Sequence, residues 1–384
     1  MAAGEMTMAV IVVVCAALLV NSFARTRLLD PGFDAGHAVV AEMTLPPRYK
    51  TPSSIKQFAD SILERAAALG GVERSAVAMY APFTDTGGNV ASLTVEGQPE
   101  LPPAQRPSVR RNFVSPGYLE ALSIQRIAGR TIARQDTFES PLAVVINDVM
   151  AQRYFPGENP LDKHIRFGAN PASYTIVGVV RQIKYYSVDA PPENQAYLAY
   201  AQTPSRGISL VVRTTGDVTS VAQSMRAVVR SVDPNLPVSR IASLATKINE
   251  QQAGSRILTQ VVGFFGVLAL LLAAVGIYGV MAYSVSQRVQ EIGIRMALGA
   301  RGGDVLVLIV RQGMMIVIGG MIVGVGGAYL VAKTLARFLV GVDPNDILSF
   351  TISFAILAGV ALLACWVPAR RAARLDPVIA LRNE

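Results

Sequence analysis

The chain has 384 residues, 51% of them hydrophobic and only 16% charged, with a formal net charge of +8. Average soluble domains carry about a quarter charged residues, so an ordinary soluble fold is a poor reading. The positive charge is better explained by membrane orientation than by nucleic acid. Two cysteines, Cys15 and Cys365, each lie inside an apolar stretch, which excludes a disulfide framework for the rest of the chain.

Four stretches contain no charged side chain: Met6–Ala24, Ile257–Gln287, Gln312–Ala332 and Ile347–Ala369. Their lengths, about 19, 31, 21 and 23 residues, meet the ~20 that a helix needs to cross a ~30 Å hydrocarbon core. A helix satisfies its own backbone hydrogen bonds, as lipid requires. Ser22-Phe23-Ala24 resembles a signal-peptide cleavage site, but no basic segment precedes it, so a retained helix is expected.

Between the first two stretches lies a mixed α/β region of about 230 residues, large enough for its own core. Residues 53–69 have a helical pattern with Ile55, Phe58, Ile62 and Leu69 near one side and Ser53 or Ser54 as cap. The Pro- and Gly-rich segment 85–107 is expected to be a mobile loop between two subdomains. Residues 116–122 form a short helix. A strand at 142–146 feeds a helix at 148–154, closed by the turn Phe155-Pro156-Gly157. Strands follow at 174–180 and 208–213. An amphipathic helix at 218–232 is closed by Asp233-Pro234. Strands alternating with helices predict two compact α/β subdomains side by side.

The links between the later apolar stretches differ in charge. Arg288, Arg295, Arg301 and Arg311 follow the second stretch, and Arg370, Arg371, Arg374 and Arg382 follow the fourth. Lys333 and Arg337, in the link after the third, are balanced by Asp343 and Asp346. The positive-inside rule places the two Arg-rich segments in the cytoplasm and residues 25–256 outside it. Arg25, Arg27 and Glu5 oppose that orientation, but long translocated domains obey the rule poorly.

No sign of catalysis or of a cofactor emerges. There is no G-x-x-x-x-G-K-[ST] phosphate loop, so the chain is not expected to hydrolyse ATP itself through that device. His37 and His164 are isolated, which disfavours a metal site, and no G-x-S-x-G elbow occurs. The membrane stretches are nearly free of ionisable groups. That argues against a proton-coupled carrier and for helices that transmit movement. Gly320 and Gly324 form a G-x-x-x-G pair suited to close helix packing.

The most informative segment runs from Gln287 to Ala300. Glu291 and Arg295 are spaced i,i+4 in the favourable order, with Arg288 three residues before Glu291. Val285, Val289, Ile292 and Met296 make an adjacent apolar strip, and Gly299 is placed to end the helix. Such a helix can lie on a membrane surface or dock into a groove of a cytoplasmic partner, and the pattern leaves both open.

From Ser286 the segment is S-Q-R-x-x-E-I-G-I-R-x-A-L-G-A, which resembles the signature of the macrolide-exporter/FtsX-like permease family. Pro368-Ala-Arg-Arg-Ala-Ala-Arg-Leu-Asp-Pro377 is similar to that family's tail, and Arg337-Phe-Leu-Val-Gly-Val-Asp-Pro344 to its last helix link. Val114-Ser-Pro-Gly-Tyr-Leu119, Val144-Val-Ile-Asn147, Arg153-Tyr-Phe-Pro156 and Ile176-Val-Gly-Val-Val180 resemble its extracytoplasmic core. The resemblance implies an α-helical inner-membrane protein with four transmembrane helices and an inserted α/β extracytoplasmic domain.

On this reading residues 1–27 hold the first transmembrane helix, 28–253 the periplasmic core and 254–286 the second helix. Residues 287–311 form a cytoplasmic coupling segment, and 312–384 hold the last two helices and a basic tail. The resemblance further implies a second permease copy or half and a separate ABC ATPase. That ATPase would be met by Gln287, Arg288, Glu291, Ile292, Gly293, Arg295, Leu298 and Gly299. Export is the expected role; the alternative is a transmitter that activates an extracytoplasmic enzyme or sensor. Asp30-Pro-Gly-Phe-Asp34 resembles the second half of duplicated permeases, and the first helix starts close to the N-terminus. The chain is therefore expected to be one half of such a protein or a late start. Gly302 departs from the family's commoner basic residue or proline.

Overall fold

The computed structural model describes residues 2–84, 88–298, 302–335 and 346–372. Contacts divide the chain into a helical bundle built from its two ends and a middle domain, Leu29–Gln252.

The middle domain carries strands β1 (Ala38–Thr44), β2 (Val72–Ala78), β3 (Asn89–Val95), β4 (Ser108–Val114), β5 (Arg126–Gly129) and β6 (Ala143–Asn147). They are followed by β7 (His164–Phe167), β8 (Tyr174–Val180), β9 (Gln195–Ala199), β10 (Gly207–Thr214) and β11 (Val238–Ser243). Among the described residues all 11 strands belong to one sheet, in the order β11-β1-β10-β2-β4-β3-β7-β8-β6-β9 with β5 beside β8. Strand β4 also pairs β9 in parallel, so the six strands from β4 to β9 in that order close on themselves. The other four join this ring through one residue pair, Ala78 with Val114.

Helices α2 (Pro52–Ala67) and α5 (Val218–Val232) cover one face of the four-stranded part. Successive β1 residues serve opposite cores, as a period of two requires. Val39, Ala41 and Met43 face the cluster of Ile62, Leu198 and Val229. Ala38 and Val40 face that of Tyr118, Tyr197 and Leu244. Both clusters run across the four-stranded part and the ring.

Several elements differ from the sequence reading. The cap of α2 is Thr51, not Ser53 or Ser54. Its hydroxyl accepts from the Ser54 amide at 3.2 Å while Ser54 Oγ accepts from the Thr51 amide at 3.3 Å, with Pro52 preset for the first turn. The segment 85–107 is not a loop throughout, because β3 lies within it. Leu93 and Val95 point inward and Asn89–Ser92 pair with β4. Residues 85–87 lie outside the described residues. Two short helices, α3 (Tyr118–Ala121) and α4 (Asp148–Tyr154), fall where the sequence placed them, and α6 (Leu244–Gln251) was not foreseen.

The bundle contains α1 (Ala2–Leu28), α7 (Ala253–Gln287), α8 (Val289–Ala297), α9 (Gly302–Leu335) and α10 (Ile347–Ala372). Four of these, all but α8, are long and apolar enough to cross a membrane. Helix α9 starts at Gly302, ahead of the uncharged stretch, because Val305–Val310 continue its apolar pattern up to Arg311. Half of α1's most apolar window is buried within the bundle, more than for any other described span. It runs against α7, since Ala16 meets Gly266 and Glu5 meets Gly276. It runs with α9, since Thr7, Val10 and Ile11 meet Gly320, Gly324 and Gly327 in rising order.

Candidate functional site

Helix α7 ends at Gln287. Arg288 leaves helical geometry (φ −115°, ψ 16°) and α8 starts at once, so the break is a sharp bend rather than a loop. The bend keeps its backbone partners: the Arg288 amide donates to the Val285 carbonyl at 3.1 Å, and the Ile292 amide to the Arg288 carbonyl at 2.9 Å. Side chains brace it as well. Gln287 Nε2 donates to the Tyr283 hydroxyl at 2.6 Å, and Arg288 Nη1 reaches Gln312 Oε1 of α9 at 3.2 Å.

The two faces of α8 differ. Ile292 is 6% exposed and lines a recess together with Met281, Val285, Leu308 and Ile309. Glu291 and Arg295 border the same recess, joined at 2.6 Å and each about half exposed. Ile294 and Leu298 are open, Leu298 at 83% exposure. The helix is thus packed onto the bundle through Ile292 and Met296 and presents a mixed charged and apolar surface. Gly293 lies mid-helix. Gly299, the last of the expected contact residues, lies outside the described residues, as do Arg301, residues 337–344 and the tail from residue 373.

The other expected pair, Gly320 and Gly324, faces α1. The Gly320 carbonyl accepts from Thr7 Oγ1 at 3.2 Å, and a Cβ at Gly324 would lie 2.6 Å from Val10. Sequence reasoning missed Gln312, Leu308 and Ile309 as partners of α8. Placing the start of α9 at Gly302 would have revealed them, because their i, i+1, i+4 spacing then forms one helix face.

The middle domain holds several polar clusters. The Asn112 amide donates to the Tyr80 carbonyl at 2.8 Å and the Tyr185 hydroxyl at 3.1 Å in a buried network. Burial pushes the phenols of Tyr118, Tyr185 and Tyr197 above their ordinary range. Arg110 grips Glu193 with two bonds of 2.8 and 2.9 Å, and Arg130 grips Asp136 with two of 2.8 Å, as structural forks. No group of His, Cys, Asp and Glu suited to a metal occurs among the described residues.

Residues 6–228 match the MacB-like periplasmic core domain family and residues 263–377 the FtsX-like permease C-terminal family. The chain belongs to the MacB/FtsX-like ABC permease family. It is a multi-pass membrane protein with a large extracytoplasmic domain. It is 30% identical to the probable syringafactin export ATP-binding/permease protein SyfD of Pseudomonas syringae pv. tomato, over 71% of this chain and 42% of that protein. It is 27% identical to the uncharacterized ABC transporter permease YknZ of Bacillus subtilis, over 71% of this chain and 70% of that protein. The chain therefore spans less than half of SyfD. Among solved structures, the periplasmic region of MacB from Actinobacillus actinomycetemcomitans aligns over 56% of this chain and 92% of that one, at 15% identity and a TM-score of 0.40.

Proposed function

We propose that this permease-family chain passes ATP-driven motion from a separate cytoplasmic ATPase to its extracytoplasmic domain in an ABC-type export system of the inner membrane, working with a second permease copy or half. The observation that carries the reading is α8. A short helix bent off a long one, held by Ile292 and braced by Arg288, cannot be pushed without moving the ends of α7 and α9. Its exposed side chains, Glu291, Arg295, Ile294 and Leu298, have the mixed character of a surface that docks in a groove. Export, rather than activation of an extracytoplasmic enzyme, is favoured by relatives named for export, such as SyfD.

The test is co-expression with cytoplasmic ABC ATPases and co-purification. The native chain should retain an ATPase, and Glu291→Lys with Arg295→Glu should lose it. Failure of every ATPase to bind the native chain would overturn the reading.

A further inference from the structure

The two chain segments that leave the membrane helices are both fastened around strand β1 of the extracytoplasmic domain. On the α1 side the fastening is Asp30-Pro-Gly-Phe-Asp34. The Pro31 carbonyl accepts from the Lys184 amide at 2.8 Å. Gly32 has φ +84° and leaves no room for a side chain, since a Cβ would lie 2.5 Å from the Gln182 carbonyl oxygen. Phe33 is buried beside Phe83. Asp34 accepts from Arg213 Nη2 at 2.9 Å, and Arg213 stands directly opposite Ala38, the first residue of β1.

On the α7 side the fastening is α6. Ser243 caps it, accepting from the Thr246 amide at 3.0 Å, and Leu244 is wholly buried. One residue, Gln252, separates α6 from α7, so the link has little slack. Strand β11 pairs with β1, and at the irregularity between Ala41 and Met43 stands Glu42. Its inward-facing carboxylate is bonded by Lys247 of α6, with the two side chains 11% and 6% exposed. Apolar docking tolerates sliding. A buried carboxylate that loses its cation does not, so the pair fixes where α6 sits on β1.

We infer that Lys247 and Asp34 are positioning residues that fasten both membrane-helix junctions to the β1–β10–β11 edge, making it the site where displacement of α1 and α7 enters the domain. The inference rests on the transmission reading above, and its test reads nothing about the ATPase.

The experiment uses the full chain in lipid nanodiscs with Cys15→Ala and Cys365→Ala. Ala16→Cys with Gly266→Cys adds a switchable cross-link between α1 and α7, where a Cβ at residue 266 lies 3.2 Å from that of Ala16. Oxidation should slow amide exchange in β1, β11 and α6 by at least about threefold. Lys247→Met should abolish that response while exchange in α2 and the cross-linking yield stay unchanged, and Lys247→Arg should restore it. A response that persists undiminished in Lys247→Met, or no response to complete cross-linking in the otherwise native chain, overturns the inference.

Discussion

The extracytoplasmic domain and the helical bundle are held together in opposite ways. In the domain, large side chains such as Phe58, Ile62, Tyr118 and Phe167 are almost wholly removed from solvent. In the bundle, the close contacts are made where a side chain is missing: Gly266 against Ala16, Gly324 against Val10, Gly327 against Ile11 and Gly276 beneath Glu5. Water drives the first arrangement, because burying apolar area is favourable in proportion to that area. Lipid offers no such drive between helices, so contact depends on how near two backbones can come. Deleting side-chain volume should therefore damage the domain, and adding it should damage the bundle.

The largest expected effect is in the domain. Phe58 is 3% exposed and meets the edge of Tyr49 with ring centroids 5.5 Å apart. Phe58→Ala should cost about 3–5 kcal/mol in denaturant unfolding of the domain transition. The same deletion of volume at Leu271 of α7, 59% exposed, should cost well under 1 kcal/mol in the bundle transition if that face is covered by lipid. Equal losses at the two sites would end the contrast.

The reverse change sharpens it. Gly324→Leu forces atoms into Val10, where even a Cβ comes within 2.6 Å. It should cost about 1–3 kcal/mol in thermal melting of the bundle. Gly326→Leu, where a Cβ meets nothing within 4 Å among the described residues, should change melting by less than about 0.5 kcal/mol. Similar melting for both variants would mean that the α1–α9 approach is not what holds the bundle.

The same division governs how far the sequence could be read. The bundle was legible because lipid imposes one rule on long runs: exclude charge and keep the helix. Helices α4 and α5 were legible because each is closed by a turn signal, Phe155-Pro156-Gly157 and Asp233-Pro234, and α5 is amphipathic. Strands such as β3 and β9 were not. Gln195–Ala199 is buried on both faces, so it shows no alternation, and β3 is hidden in a run rich in Gly, Pro and polar residues. The closure of β4 on β9 joins residues far apart in the chain, and no local pattern records it. At the candidate site, the Glu291–Arg295 pair was legible because both residues lie on one helix. The Arg288–Gln312 brace was not, because it depends on how two helices meet.

A smaller effect concerns charge. Burial raises the Asp34 carboxyl, but hydrogen bonds from His37 and Arg213 outweigh it and hold the group below its ordinary value. A carboxylate depressed in the folded state adds stability above its unfolded pKa, and that contribution is lost as pH falls through the folded value. The melting gap between the native chain and Asp34→Asn should thus close progressively as the pH falls below about 4. The bundle transition should show no matching change in that gap. A gap that kept its full size well below about pH 4 would refute the assignment of the Asp34 contacts.

The smallest expected effect on stability separates a docking surface from a packing surface. Glu291→Lys with Arg295→Glu keeps an i,i+4 pair on α8 and reverses only its order, on side chains about half exposed. Melting should move by no more than about 0.5 kcal/mol. Ile292→Ala removes a buried side chain packed against α7 and α9 and should cost about 2 kcal/mol or more. If the double reversal abolishes ATPase retention with melting unchanged, the charge pattern itself is what the partner reads. If it lowers melting as much as Ile292→Ala does, the pair belongs to the packing of the bundle, and the contact must be sought at Ile294 and Leu298 instead.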